Sequence, residues 1–169
     1  MLGTISLMDQ LLSSKELLEF VLTDYALEEH IVHAIDDDGL VHILTSAAEV
    51  LKYWPTHTIK VQSMEKFNQA IFTKSQELAR CYGHTGPVTC HAFHAPKNAK
   101  SFPVHTDPDD VVVYAVEGTK CMEVADQLYR LSPGQSVHVA ANVPHRAINN
   151  FDSLMLSFGL EKFMIEKAK

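Results

Sequence analysis

Apolar side chains recur at helical spacing in the first half of the chain and gather into short β-type runs in the second. Ser13 followed by Glu16 is an S-x-x-E helix start, in which each side chain caps the other residue's backbone N–H. Leu17, Leu18, Phe20 and Val21 then fall on one side. Ser46 and Glu49 repeat the signature, and Pro55 ends that second helix just after Trp54. Phe67, Ala70, Ile71 and Leu78 predict a third helix over residues 63–81. Residues 30–35 and 40–44 flank Asp36-Asp37-Asp38-Gly39 and read as a strand pair around a glycine-containing turn.

From Pro87 the texture changes. Residues 88–94, 111–116, 119–124, 136–140 and 154–160 are β-rich. Turn pairs separate them: Pro108-Asp109, Glu117-Gly118, Pro133-Gly134 and Asn149-Asn150. Short strands at this spacing predict an all-β sandwich or barrel, here with three helices packed outside it. The expected layout is one domain over residues 1–169. Residues 1–85 form a mixed helix and strand part, and residues 86–161 form the β-barrel core.

Composition narrows the function classes. A chain of 169 residues, 46% hydrophobic, is long enough for one domain with its own core. Twenty-one acidic against fourteen basic residues give a formal charge of -7. Nucleic-acid binding depends on Lys and Arg releasing counterions, so no nucleic-acid partner is expected. Cys81, Cys90 and Cys121 are odd in number and lack metal-type spacing, which fits free thiols in a reducing compartment. Residues 1–12 have no basic leader region and include Asp9, and no apolar run reaches the length of a membrane span. The expectation is a soluble cytoplasmic protein with no membrane partner.

The residues that carry chemistry lie between positions 105 and 159. His105-Thr106-Asp107 is an H-x-D unit, and on a strand residues i and i+2 point to the same face. Alone the unit is weak, since a chain with ten histidines can produce such a pair by chance. Gly134, Ala140, Asn142, His145 and Asn149 then fall at the spacing of the second cupin motif: Gly, Pro at +6, Gly at +8, His at +11 and Asn at +15. Three of the five match. Asn142 replaces a glycine and still tolerates positive φ, while Pro144 keeps a rigid turn before His145.

On these residues the chain resembles the cupin superfamily. The resemblance implies a mainly β, double-stranded β-helix (a cupin or jelly-roll barrel) with flanking N-terminal α-helices and a metal inside the barrel. Ordinary metal cupins carry H-x-H followed four or five residues later by a Glu ligand. Here the second His is Asp107, and the Glu positions are Val111 and Val112. The metal set implied is His105, Asp107 and His145, the two-His, one-carboxylate facial triad of non-haem Fe(II) oxygenases. Imidazole and carboxylate also suit Zn or Mn, so the donor set favours iron without fixing it.

Lys120 points to the branch. It stands fifteen residues after His105 and two after Gly118. That is where the JmjC-type 2-oxoglutarate oxygenases, including the ribosomal oxygenases and the asparaginyl hydroxylase of the hypoxia pathway, place the Lys or Arg that grips the cosubstrate's distal carboxylate. Other oxygenase branches use an Arg about ten residues beyond the distal His, and positions 153–159 here hold no basic residue. The resemblance implies an Fe(II)- and 2-oxoglutarate-dependent oxygenase: His105, Asp107 and His145 are catalytic through the metal, Lys120 and Asn149 bind the cosubstrate, and O₂ is the second cosubstrate. Its target is a peptide or protein side chain or a small molecule. The ribosomal oxygenases are longer and carry helical modules for dimerisation and substrate binding, so a homodimer is left open. Two other readings stay open as well. One is a metal cupin enzyme that does not use 2-oxoglutarate, such as an isomerase or dioxygenase; the other is a non-catalytic ligand-binding cupin.

Other polar residues read less sharply. His91 and His94 lie on opposite faces of one strand, so at most one lines the pocket. Ser101 and Ser157 are placed near the pocket, Tyr114 beside it or outside, Arg146 on the outer surface, and Trp54 in the core.

Overall fold

A computed structural model describes residues 10–163. Most of the stretch 1–12 read above for a leader therefore lies outside the described residues. Among the described residues no helix is long and apolar enough to cross a membrane.

The first helix, α1 (Ser14–Val21), starts as its sequence dictates. The Ser13 hydroxyl accepts the Glu16 N–H at 3.1 Å, the Glu16 carboxylate accepts the Ser13 N–H at 2.7 Å, and Leu17 and Val21 are buried one turn apart. A five-residue helix not anticipated above, α2 (Asp24–Glu28), follows, capped by Thr23. Strands β1 (Val32–Ile35) and β2 (Val41–Ile43) pair antiparallel. Their turn is held by Asp36 Oδ1, which accepts the N–H groups of Asp38 and Leu40.

Helix α3 (Ala47–Tyr53) ends before Pro55 as expected. Its cap differs from the first: Ser46 accepts the Glu49 N–H, but the Glu49 carboxylate accepts the N–H of Thr45 rather than that of Ser46. Strand β3 (Thr58–Val61) was not anticipated. The helix expected over residues 63–81 begins late. Ser63 takes a left-handed backbone (φ +58°), a single 3₁₀ turn covers Met64–Lys66, and α4 (Gln69–Cys81) starts where Asn68 Oδ1 accepts the Ile71 N–H. Ser63 makes no side-chain cap bond, whereas Asn68 is extended and its side chain caps the helix.

The remaining strands are β4 (Val88–Ala95), β5 (Asp110–Gly118), β6 (Lys120–Val124), β7 (Gln127–Leu131), β8 (Ser136–Val139), β9 (His145–Ile148) and β10 (Ser153–Leu160). They form a seven-stranded sheet in the order β2-β1-β3-β4-β10-β5-β8 and a three-stranded sheet in the order β7-β6-β9. The larger sheet therefore takes strands from both halves of the chain. β7 and β9 were missing from the strand list above. β7 is exposed along most of its length, and the four-residue β9 follows a turn.

Alternation along β4, β10 and β5 separates two cores. Cys90, Ala92, Val112, Leu154, Leu156 and Phe158 face one way, into a cluster with Leu17, Val21, Val50 and Ile71 from the helices. Phe93, Val111, Val113, Ala115 and Met155 face the other way and meet Met122, Leu131, Val137 and Val139 inside the barrel. Both faces of the central strands are covered, which explains why their sequences are almost continuously apolar. A tight spot is Gly118, the last residue of β5. It has φ +67°, and a Cβ there would collide with the Asp152 carbonyl.

Candidate metal centre

His105, Asp107 and His145 converge: one ligand atom from each lies within 4.8 Å of the others. The route differs from the strand alternation expected for an H-x-D unit. His105 forms an isolated antiparallel bridge to His145, with backbone hydrogen bonds of 3.1 and 2.9 Å in the two directions. Asp107 lies beyond that bridge, outside any strand, and its carbonyl accepts the Asn142 N–H at 2.8 Å. Asn142 takes the positive φ (+63°) that a glycine would otherwise supply.

Both imidazoles are oriented alike. His105 Nδ1 lies 2.8 Å from the Pro103 carbonyl, and His145 Nδ1 lies 2.9 Å from that of Val143. A carbonyl only accepts, so each Nδ1 carries the proton and each neutral ring keeps its lone pair at Nε2. His145 is buried, and its Nε2 lies 3.3 Å from Asp107 Oδ2. The contact with Asp107 raises the His145 pKa, and the same bond holds the Asp107 carboxyl below its ordinary range. Two Nε2 lone pairs and a carboxylate oxygen fit a divalent transition metal and leave coordination positions open.

The triad lines one side of a cavity of about 310 Å³ that Lys120 also lines. The Lys120 side chain is 1% exposed, and its Nζ donates to Asn149 Oδ1 at 2.7 Å. Asn149 in turn donates through Nδ2 to the Ala99 carbonyl (2.9 Å) and to Thr58 Oγ1 (3.2 Å), which fixes its oxygen toward the ammonium. Burial pulls the Lys120 pKa down to about 8. Asn149 is not among the cavity-lining residues and reaches the cavity only through Lys120. An ammonium has three donors, so Lys120 retains hydrogen-bonding capacity for an anion in the cavity.

Ser101, Ser157 and His91 line the same cavity, whereas His94 stacks on Trp54 outside it, with centroids 3.9 Å apart and planes 7° from parallel. Arg146 lies outside, paired with Glu123 at 2.6 Å, and Tyr114 packs outside under the Lys74 ammonium. The three cysteines are free, two of them buried. The cavity residues missed above are mainly Thr58 and Lys60, both on the unanticipated β3, with Thr89 and Phe93 on β4. The signal was present: after Pro55, Thr58-Ile59-Lys60-Val61 alternates polar and apolar side chains, as a half-buried strand does.

Residues 91–159 match the family model of the cupin domain. A search of the curated proteins finds no match. Among solved structures, YcfD, a ribosomal oxygenase from Escherichia coli in complex with cobalt and succinic acid, aligns over 92% of this chain and 45% of its own, with TM-score 0.67 and 15% identity. This chain thus spans less than half of that protein, and at such identity the likeness establishes the fold. KdgF from Halomonas sp. (24% identity, 48% of this chain and 76% of its own, TM-score 0.41) and the DMSP lyase DddQ from Ruegeria pomeroyi (16%, 47% and 41%, 0.43) align over about half of the chain. Residues 91–159 are thus similar to the cupin domain, and the chain folds as a mainly β double-stranded β-helix with helices packed on one face.

Proposed function

We propose that this protein is an Fe(II)- and 2-oxoglutarate-dependent oxygenase that hydroxylates a small molecule or a protein side chain. The observation that carries the reading is the Lys120 ammonium, buried in the same cavity as the His105, Asp107 and His145 donors and held there by Asn149. A cation placed at such cost in an apolar barrel is best explained by an anion that arrives with the cosubstrate. The relative whose fold covers most of the chain holds cobalt and succinic acid, a dicarboxylic acid that is the expected product of 2-oxoglutarate turnover.

Each group has a role. His105 and His145 offer Nε2, and Asp107 offers a carboxylate oxygen. Iron bound there would supply the oxidation of a substrate C–H bond, coupled to conversion of 2-oxoglutarate and O₂ to succinate and CO₂. Lys120 grips the distal carboxylate through a charge-assisted bond and thereby orients the keto acid. Phe93, Val111, Val113, Met122 and Met155 form the apolar part of the cavity wall.

The test is a titration of 2-oxoglutarate into anaerobic iron-loaded protein, following the charge-transfer band of the chelate, then aerobic assay of succinate. A band and stoichiometric succinate are expected. Metal binding with neither would sink this reading and leave the cupin enzyme that does not use 2-oxoglutarate, or the ligand-binding module.

A further inference from the structure

The metal and 2-oxo-acid reading gives a role to Lys120 but none to the cavity's other lysine, Lys60. Asp107 and the chelating carboxylate of a 2-oxo acid together balance a divalent ion, and the acid's other carboxylate balances Lys120. Lys60 also lines the cavity, and among the described residues its Nζ has neither a hydrogen-bond acceptor nor a carboxylate within ion-pair distance. It rests instead over the rings of Phe93 and Phe102, 6.0 and 5.9 Å from their centroids. β3 pairs with β4 so that Lys60 sits beside Phe93, two residues from His91 on the same face.

His91 is a donor with a fixed direction. Its Nδ1 accepts the backbone N–H of Ser63 at 3.2 Å, so the ring proton sits on Nε2. Burial, with help from Lys60, holds its pKa near about 4, and the ring stays neutral at working pH. Ser157 lies opposite His91 in the β4–β10 register and lines the same cavity. An ammonium, a ring N–H and a hydroxyl therefore share one region of the wall, and Lys120 has hydrogen bonds with none of them. Two carboxylates, Asp109 and Glu161, also line the cavity; Glu161 accepts the Thr89 hydroxyl at 2.7 Å.

We infer that Lys60 and His91, with Ser157 beside them, receive a carboxylate of the substrate, so that the molecule oxidised is a small organic acid. This rests on the reading of the cavity as a metal and 2-oxo-acid site. A volume of about 310 Å³ lies at the small end of ligand pockets, which favours a compact acid over a bulky target.

The probes are butyrate, hexanoate and benzoate, each compared with its uncharged amide. Binding to the full chain loaded with Zn(II) is followed by ligand-observed NMR, with and without saturating 2-oxoglutarate. At least one acid is expected to bind about tenfold or more tightly than its amide, in line with a charge-assisted bond. Lys60→Gln should abolish that preference, Lys60→Arg should keep most of it, and His91→Phe should reduce it. Lys60→Met, whose apolar stem still fits over Phe93 and Phe102, serves if the glutamine variant does not fold. The inference is overturned if no acid outbinds its amide, if the preference survives loss of the Lys60 charge, or if that loss weakens 2-oxoglutarate equally. Should 2-oxoglutarate fail to bind the parent, the cosubstrate reading falls alone, because the Zn(II)-only titration still decides whether Lys60 selects acids.

Discussion

Replacing Lys120 with methionine should make the ligand-free protein more stable and at the same time remove its affinity for 2-oxoglutarate. The ammonium is fully enclosed, and burial moves its pKa from 10.5 to about 8. At 1.36 kcal/mol per pH unit, that displacement corresponds to about 3 kcal/mol against the charged form. Methionine matches the stem and removes the charge. It also leaves Asn149 Oδ1 without its donor, at a cost of about 1–3 kcal/mol. The net gain at pH 7 therefore lies between about zero and 2 kcal/mol, consistent with apolar replacement of buried charges elsewhere.

The pH dependence is the sharper signature. Below pH 8 Lys120 is charged in both the folded and unfolded states, so its burial penalty is fully present. Between about 8 and 10.5 the folded state loses the proton first, and the parent gains stability relative to the variant. Urea melts of the two proteins at pH 7 and pH 10 measure this directly. The methionine variant's advantage should shrink by on the order of 2–3 kcal/mol. The same variant should bind 2-oxoglutarate about 10- to 150-fold more weakly, the worth of a charge-assisted bond. A stability difference independent of pH, together with unchanged 2-oxoglutarate binding, would refute both the buried charge and its role.

Three further outcomes are expected. His145→Ala should lose most of its iron on dialysis, since two of three ligands seldom define a site; elemental analysis showing full retention would move the metal elsewhere. In the metal-free protein the His145–Asp107 contact contributes stability between Asp107's unfolded pKa near ~4 and His145's near ~6.5; it fades as pH falls through the lowered Asp107 value or rises through the raised His145 value. Metal uptake must displace the His145 proton, so occupancy should fall on acidification with measurable proton release, and occupancy unchanged down to about pH 4 argues against these ligands. Gly118→Ala introduces a Cβ into the Asp152 carbonyl at positive φ, so its melting temperature should drop by about 5 °C or more, and an unchanged melt would contradict the close approach of β5 and β10.

The sequence made the local features legible. The Ser13 box, the Pro55 stop and the turn glycines at 39, 118 and 134 act within a few residues, and each appears where its chemistry required. The triad was legible because its two motifs have fixed spacing, even though bridge and turn geometry, not strand alternation, brings Asp107 to the histidines. β3 left only a four-residue alternation, and the place of Lys60 in the cavity was not legible at all, because it depends on pairing with β4, more than thirty residues away. Short, exposed β7 and four-residue β9 offer too little periodicity to separate them from turns. Asn149 was found by spacing, but its hydrogen bonds to Ala99 and Thr58 are long-range, so its place behind Lys120 became visible only in three dimensions.

The division of β4 and β10 into two faces has a consequence for how this protein tolerates change. Odd positions, Thr89, His91, Phe93, Met155, Ser157 and Gly159, border the cavity, while even ones, Cys90, Ala92, Leu154, Leu156 and Phe158, anchor the helices. A library varied only at Thr89, His91 and Ser157 would therefore explore new ligands on an intact scaffold, whereas the same diversity at the even positions, or at the core residues Phe93 and Met155, would mostly yield unfolded chains. Along these two strands selectivity and foldability fall largely on opposite faces and meet at Phe93 and Met155, which serve both the cavity wall and the barrel core.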